Sequence, residues 1–288
     1  MQDYEDIWYH SEDGLRLYAR DYVCKGAPLT LLCMHGLTRN SADFEPLCEY
    51  LAPDYRMIVV DQRGRGKSER DIEPANYHPA TYVQDMFRLI DTLQLTNLVL
   101  VGTSLGGLMA MIMNALRPGA FKAVVINDIG PVVEPEGLER IKKYVGKIPP
   151  AKSWDEAVAN IRRLNEQAFP HFQLADWQQF TRRLYAENDQ GIPELLYDPA
   201  IFLPLAADEG NAVPPDLWPA FEQLRDVPTL LIRGALSDIL SAETSAEMLR
   251  RKPDLQFVEI ADVGHAPILD EPAVVQAISC FLEDVKTS

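Results

Sequence analysis

At 288 residues, the chain has the length of one large domain or of a domain carrying an insertion, and its 47% apolar content is ordinary for a globular enzyme. A formal charge of −16 argues against nucleic acid or an anionic membrane as partner, and no apolar run reaches the ~20 residues of a membrane span. The acidic start Met1-Gln2-Asp3-Tyr4-Glu5-Asp6 lacks an apolar h-region, so no secretory signal is expected. Cys24, Cys33, Cys48 and Cys280, none in C-x-x-C spacing, read as reduced thiols of a cytoplasmic protein.

In chain order, residues 7–10 and 15–20 flank Glu12-Asp13-Gly14, a hairpin signature. Residues 29–34 are a continuous apolar run, as in a strand buried on both faces, and end at His35-Gly36-Leu37-Thr38-Arg39. Ser41 is placed to cap a helix reaching about residue 51. Residues 57–60 form a second buried strand, ending at Asp61-Gln62-Arg63-Gly64-Arg65-Gly66-Lys67-Ser68. Residues 81–93 then show helical spacing.

The apolar run 98–101 enters Gly102-Thr103-Ser104-Leu105-Gly106, and the helix-type run 108–113 leaves it. Strand, tight turn and helix are the context of a G-x-S-x-G nucleophile elbow. Gly102 and Gly106 meet a steric need across the turn, and the helix behind it aims free N–H groups at an oxyanion on Ser104. Another strand is expected at 122–126, ending near Asp128.

The rhythm breaks after Pro131. Residues 131–213 read as helical and aromatic-rich, with no clear strand, and Pro214-Pro215 closes them. Strands resume at 228–233 and 255–260, and a helix spans about 272–282. Strands alternating with helices imply an α/β fold: a mostly parallel twisted sheet flanked by helices. The expected organisation is a core of residues 1–130 and 214–288, with residues 131–213 inserted as a helical cap.

Ligands of open parallel sheets bind beyond the carboxyl ends of the strands. His35-Gly36, Ser104, Asp128 and Asp238 stand at such ends, and His265 follows the last strand. A serine hydroxyl needs an imidazole to take its proton, and the imidazole needs a carboxylate to fix its tautomer. Ser104, Asp238, His265 is the chain order expected when the elbow heads the triad. Asp128, which ends the preceding strand, is the alternative acid.

Together these motifs resemble those of the α/β-hydrolase superfamily, in its branch of capped bacterial carboxylesterases, enol-lactonases and carbon–carbon bond hydrolases. The likeness covers nearly the whole chain. It implies Ser104 as nucleophile, Asp238 as acid and His265 as base, with an oxyanion hole from the backbone N–H groups of Leu37 and Leu105. His35 and Gly36 then shape the oxyanion loop.

Gly66-Lys67-Ser68 is no phosphate loop, since Asp61 stands where its first glycine belongs, and Gly64-x-Gly66 is no dinucleotide fingerprint. Arg63 or Arg65 more simply ties loops together. No metal-ligand spacing occurs, so neither metal nor cofactor is expected. The aromatics at 131–213 are expected to pack, and collectively to wall an apolar pocket. Arg39, beside the oxyanion loop, meets either an acidic substrate group or a surface carboxylate.

The expected function is serine hydrolysis of small carboxylic esters or lactones by a monomer or homodimer. The alternative is carbon–carbon hydrolysis of vinylogous diketones, although Ala266 stands where many such enzymes carry Trp. A different class, cofactor-free oxygenase or small-molecule receptor, also occurs on this fold.

Overall fold

The computed structural model describes residues 3–204 and 216–287. Its strands in chain order are β1 (Glu5–His10), β2 (Arg16–Tyr22), β3 (Thr30–Met34), β4 (Arg56–Asp61), β5 (Leu98–Thr103), β6 (Phe121–Asn127), β7 (Tyr185–Glu187), β8 (Pro193–Leu195), β9 (Thr229–Gly234) and β10 (Gln256–Ile260). Eight of them form one sheet in the order β1-β2-β4-β3-β5-β6-β9-β10. From β4 to β10 every pairing is parallel, and the β1–β2 hairpin adds an antiparallel edge.

The apolar runs bury both faces of the sheet, with the period of two that a pleated strand imposes. Leu32, Met34, Ile58, Val60 and Leu100 join one core cluster. Their neighbours Leu31, Cys33, Met57, Val59 and Val99 join the other. Helices α2 (Pro79–Leu93) and α3 (Leu105–Leu116) cover the first face. Helix α1 (Glu45–Leu51) and the carboxy-terminal helix (Pro272–Thr287) cover the second. The expected cap at Ser41 falls one residue earlier: Asn40 Oδ1 accepts the Ala42 N–H, and a 3-10 turn (Ser41–Phe44) precedes α1.

Between β6 and β9 come α4 (Pro135–Tyr144), α5 (Trp154–Asn165) and α6 (Leu174–Leu184). This segment also holds the antiparallel pair β7–β8, which the expectation of an all-helical insertion did not include. Strands of three residues are too short to show a period, and the pair is closed by Asn188, whose Oδ1 accepts the N–H groups of Gln190 and Ile192. Phe169, Trp177 and Phe180 belong to the same core cluster as Val99 and Val125 of the sheet. The aromatics therefore pack the segment onto the body of the protein. The expected boundary at residues 213 and 214, with Pro214-Pro215, lies outside the described residues. Further α-helices among the described residues are α7 (Trp218–Glu222), α8 (Ala242–Arg251) and the carboxy-terminal α9 already described.

Candidate active site

Helix α3 begins immediately after Ser104, whose φ of 53° and ψ of −115° lie where a side chain is strained. The turn is held from both sides. Ser104 N–H donates to the Asn127 carbonyl at 2.9 Å, and Ser104 C=O accepts from Gly107 and Leu108 at 2.8 and 3.1 Å. A Cβ on Gly102 would lie 2.2 Å from the Gly106 carbonyl oxygen, and one on Gly106 would lie 2.0 Å from that of Met34 on β3. Glycine at both positions is what lets the turn close against the sheet.

The sheet order places the ends of β5, β6 and β9 side by side. Ser104 follows β5, and its Oγ lies 2.8 Å from His265 Nε2. Asp128 is the first residue past β6, and its Oδ2 lies 2.8 Å from His265 Nδ1. The second oxygen of Asp128 accepts the N–H of Gly234 at the end of β9, also at 2.8 Å. Asp128 is fully buried with both oxygens engaged, so its carboxylate is fixed in place. With Nδ1–H donated to that carboxylate, the lone pair of Nε2 faces the serine hydroxyl.

The acid expected at Asp238 is corrected by this geometry. Asp238 lies four residues beyond β9, and its carboxylate takes a two-pronged contact from Arg140 of α4: Nη2 lies 2.8 Å from Oδ1, and Nε donates to Oδ2. It makes no hydrogen bond to His265. Burial pushes the Asp238 pKa up, but the bonds and charge of Arg140, together with the charge of His265, hold it below the ordinary carboxylate value. The alternative, Asp128, is nearer because β6 is the direct neighbour of the elbow strand.

The loop after β3, the expected oxyanion loop, rests on buried polar contacts. His35 Nδ1–H donates to the Gly36 carbonyl at 2.7 Å, and Nε2 accepts the Gln62 N–H at 3.1 Å. Burial pushes the His35 pKa down to about 3, so the ring stays neutral and serves as a fixed strut. Arg65 reaches from the next loop, its Nε donating to the Leu37 carbonyl at 2.9 Å. Arg63 pairs with Asp13, Asp71 and Asp85. Both arginines tie loops together. The backbone N–H groups of Leu37 and Leu105 have no hydrogen-bond partner among the described residues.

Two cavities meet at Ser104, and Leu37 and Ile141 line both. One is walled by Tyr82, Leu105, Leu108, Ile129, Val133 and Ile239. The other holds Arg39, Asp43, Asn165, His265 and the loop after it, with Phe169 and Phe180 from the inserted segment. Arg39 does meet a carboxylate of the protein, since its Nε donates to Asp43 at 2.6 Å.

Three contributors had no clear sequence signal. Asn127 donates through Nδ2 to Thr103 Oγ1 (3.0 Å) and to the Pro267 carbonyl (2.8 Å), joining the elbow strand to the His265 loop. The Ala168 carbonyl accepts the Gly264 N–H at 2.7 Å, so the inserted segment also braces that loop. Arg140 is the third. Its only trace in the sequence is a helix position with no meaning until α4 is docked. Among the described residues, no group of three or more His, Cys, Asp or Glu side chains could hold a metal ion, and no helix is long and apolar enough to cross a membrane.

Comparison with known proteins gives the same architecture. A family model described as the alpha/beta hydrolase fold matches residues 30–272. The chain is 34% identical over 254 residues to the 3-hydroxybutyrate-oligomer hydrolase of Cupriavidus necator, covering 86% of each. It is 30% identical over 262 residues to the 2-(acetamidomethylene)succinate hydrolase of Mesorhizobium japonicum, covering 90% of each. Among solved structures, an alpha/beta hydrolase from Novosphingobium aromaticivorans superposes with a TM-score of 0.93 at 39% identity, over 98% of this chain and 99% of that one.

Proposed function

The chain belongs to the α/β-hydrolase fold family, and on that premise we propose that it cleaves small carboxylic esters or lactones through an acyl-enzyme on Ser104. The supporting observation is the unbroken series of contacts Ser104–His265–Asp128, with 2.8 Å at each step. The inserted segment from α4 to β8 acts as the cap over that site.

Ser104 Oγ attacks the substrate carbonyl carbon while His265 Nε2 takes its proton. Asp128 stabilises the imidazolium and keeps the ring oriented. The oxyanion lies against the free N–H groups of Leu37 and Leu105, where one such donor contributes roughly 3 kcal/mol to the transition state. When the carbonyl re-forms, the carbon–oxygen bond to the alcohol breaks, and the alcohol oxygen takes the proton from His265. Water, deprotonated by the same imidazole, then releases the acid and frees Ser104. In a lactone the alcohol stays attached through the ring. The curated name of the Cupriavidus relative denotes cleavage of a hydroxy-acid oligomer, and supports an ester bond as the target.

The test pairs Ser104→Ala with labelling by a serine-directed fluorophosphonate. The native chain is expected to be labelled and to turn over a short-chain ester, and the variant to do neither. Undiminished turnover by Ser104→Ala would sink the scheme.

A further inference from the structure

The two cavities at Ser104 differ in chemistry, and only one of them includes His265. In ester cleavage the group that leaves must take its proton from His265 Nε2, so the alcohol part lies on the side of the imidazole. The alcohol therefore occupies the cavity that holds Arg39, and the acyl chain occupies the apolar cavity beside Leu108 and Ile129.

Arg39 is held ready for an anion. Its Nε is engaged by Asp43, and its guanidinium carbon lies 4.1 Å from the centre of the Phe180 ring. Those contacts fix the plane of the head. Neither Nη has a hydrogen-bond partner among the described residues, and neither is buried. The free oxygen of Asp43 is buried, so it offers no competing acceptor to the cavity. The stem is close to the reacting group: a Cβ on Gly36 would stand 3.5 Å from Arg39 Cγ and 3.6 Å from Ser104 Cβ. A planar pair of free N–H donors matches a carboxylate in two-pronged fashion.

Resting on the ester-hydrolase reading, we infer that the preferred substrates are esters with an apolar acyl group and an alcohol part that bears a free carboxylate. Arg39 binds that carboxylate. The product pair is an apolar acid and a hydroxy acid.

Three probes test the assignment in the native chain: the butanoyl ester of 3-hydroxypropanoate, the butanoyl ester of 3-hydroxypropanamide, and monopropyl succinate, which moves the carboxylate to the acyl arm. The first should exceed each of the others in kcat/KM by roughly tenfold or more, the value of one charged hydrogen-bond pair. In Arg39→Gln the ratio of the first probe to the second should fall to about one, and in Arg39→Lys it should be intermediate. Equal rates on the three probes in the native chain, or a ratio that survives in Arg39→Gln, would overturn the inference. Turnover of a plain short-chain ester with none of the first probe overturns it while leaving the ester-hydrolase reading intact. Failure on every ester, with Ser104 unlabelled by a fluorophosphonate, overturns that reading and the inference with it.

Discussion

His265 donates Nδ1–H to Asp128, not to Asp238, although its charge also acts on Asp238. Only Asp128 can fix the tautomer, because only it accepts the proton on Nδ1. Asp128→Asn should lower kcat about 10⁴-fold, the scale seen when a triad carboxylate becomes an amide. Asp238→Asn should stay within about tenfold of the native value, since its contribution is Coulombic and shared with Arg140. Steady-state rates on one short-chain ester check both, and a larger loss at Asp238 would reverse the assignment.

Residues that act through the local chain were legible in the sequence. Ser104 with its glycines, His35-Gly36 and the buried strands announce themselves within a few residues, because strand, turn and helix are local events. The choice between Asp128 and Asp238 was not legible, because both follow strands that the sequence identifies. What separates them is lateral: β6 lies next to β5, and α4 brings Arg140 to Asp238. Strand order and helix docking are set by long-range packing, which spacing along one chain does not encode. Phe169, Trp177 and Phe180 pack into the core, but the wall that Phe169 and Phe180 give the cavity depends on the same docking.

The elbow tolerates no added methyl group. In Gly106→Ala the new Cβ would meet the Met34 carbonyl at 2.0 Å, a backbone atom that cannot move without shifting β3. A loss of about 1–3 kcal/mol is expected, as for other overpacked interiors. Urea unfolding should show a lower midpoint with an unchanged slope, whereas a midpoint equal to that of the native chain would mean that β3 yields freely.

Arg140 fastens α4 to the loop after β9. Gly137 of the same helix approaches the Asp238 carbonyl so closely that a Cβ there would lie 2.2 Å away. The ion pair is partly exposed on both sides, so Arg140→Ala should cost no more than about 1 kcal/mol of stability. Its effect should appear in KM, because Leu138 and Ile141 of α4 line the cavities at Ser104. A KM rise of several-fold with kcat little altered is expected. A fall in kcat alone would place Arg140 in the chemistry instead.

His35 links the loop after β3 to stability against acid. Its imidazole is fully buried, and burial lowers its pKa from 6.5 to about 3 in the folded chain. Below pH 6.5 the unfolded chain takes up a proton at this position that the folded chain does not, so stability falls as pH falls. Its contribution is complete above pH 6.5 and is lost progressively down to about pH 3. Within that window the slope from this one group approaches about 1.4 kcal/mol per pH unit. His35→Asn removes the titrating group, and loses contacts to Gly36 and Gln62, so it should be less stable at neutral pH. The difference in unfolding free energy between the native chain and the variant should therefore shrink as pH drops from 6.5 toward 4. Chemical denaturation across that range measures it. A constant difference would show that His35 is protonated in the folded chain, and the loop would then need an acceptor at Nε2 in place of the Gln62 N–H.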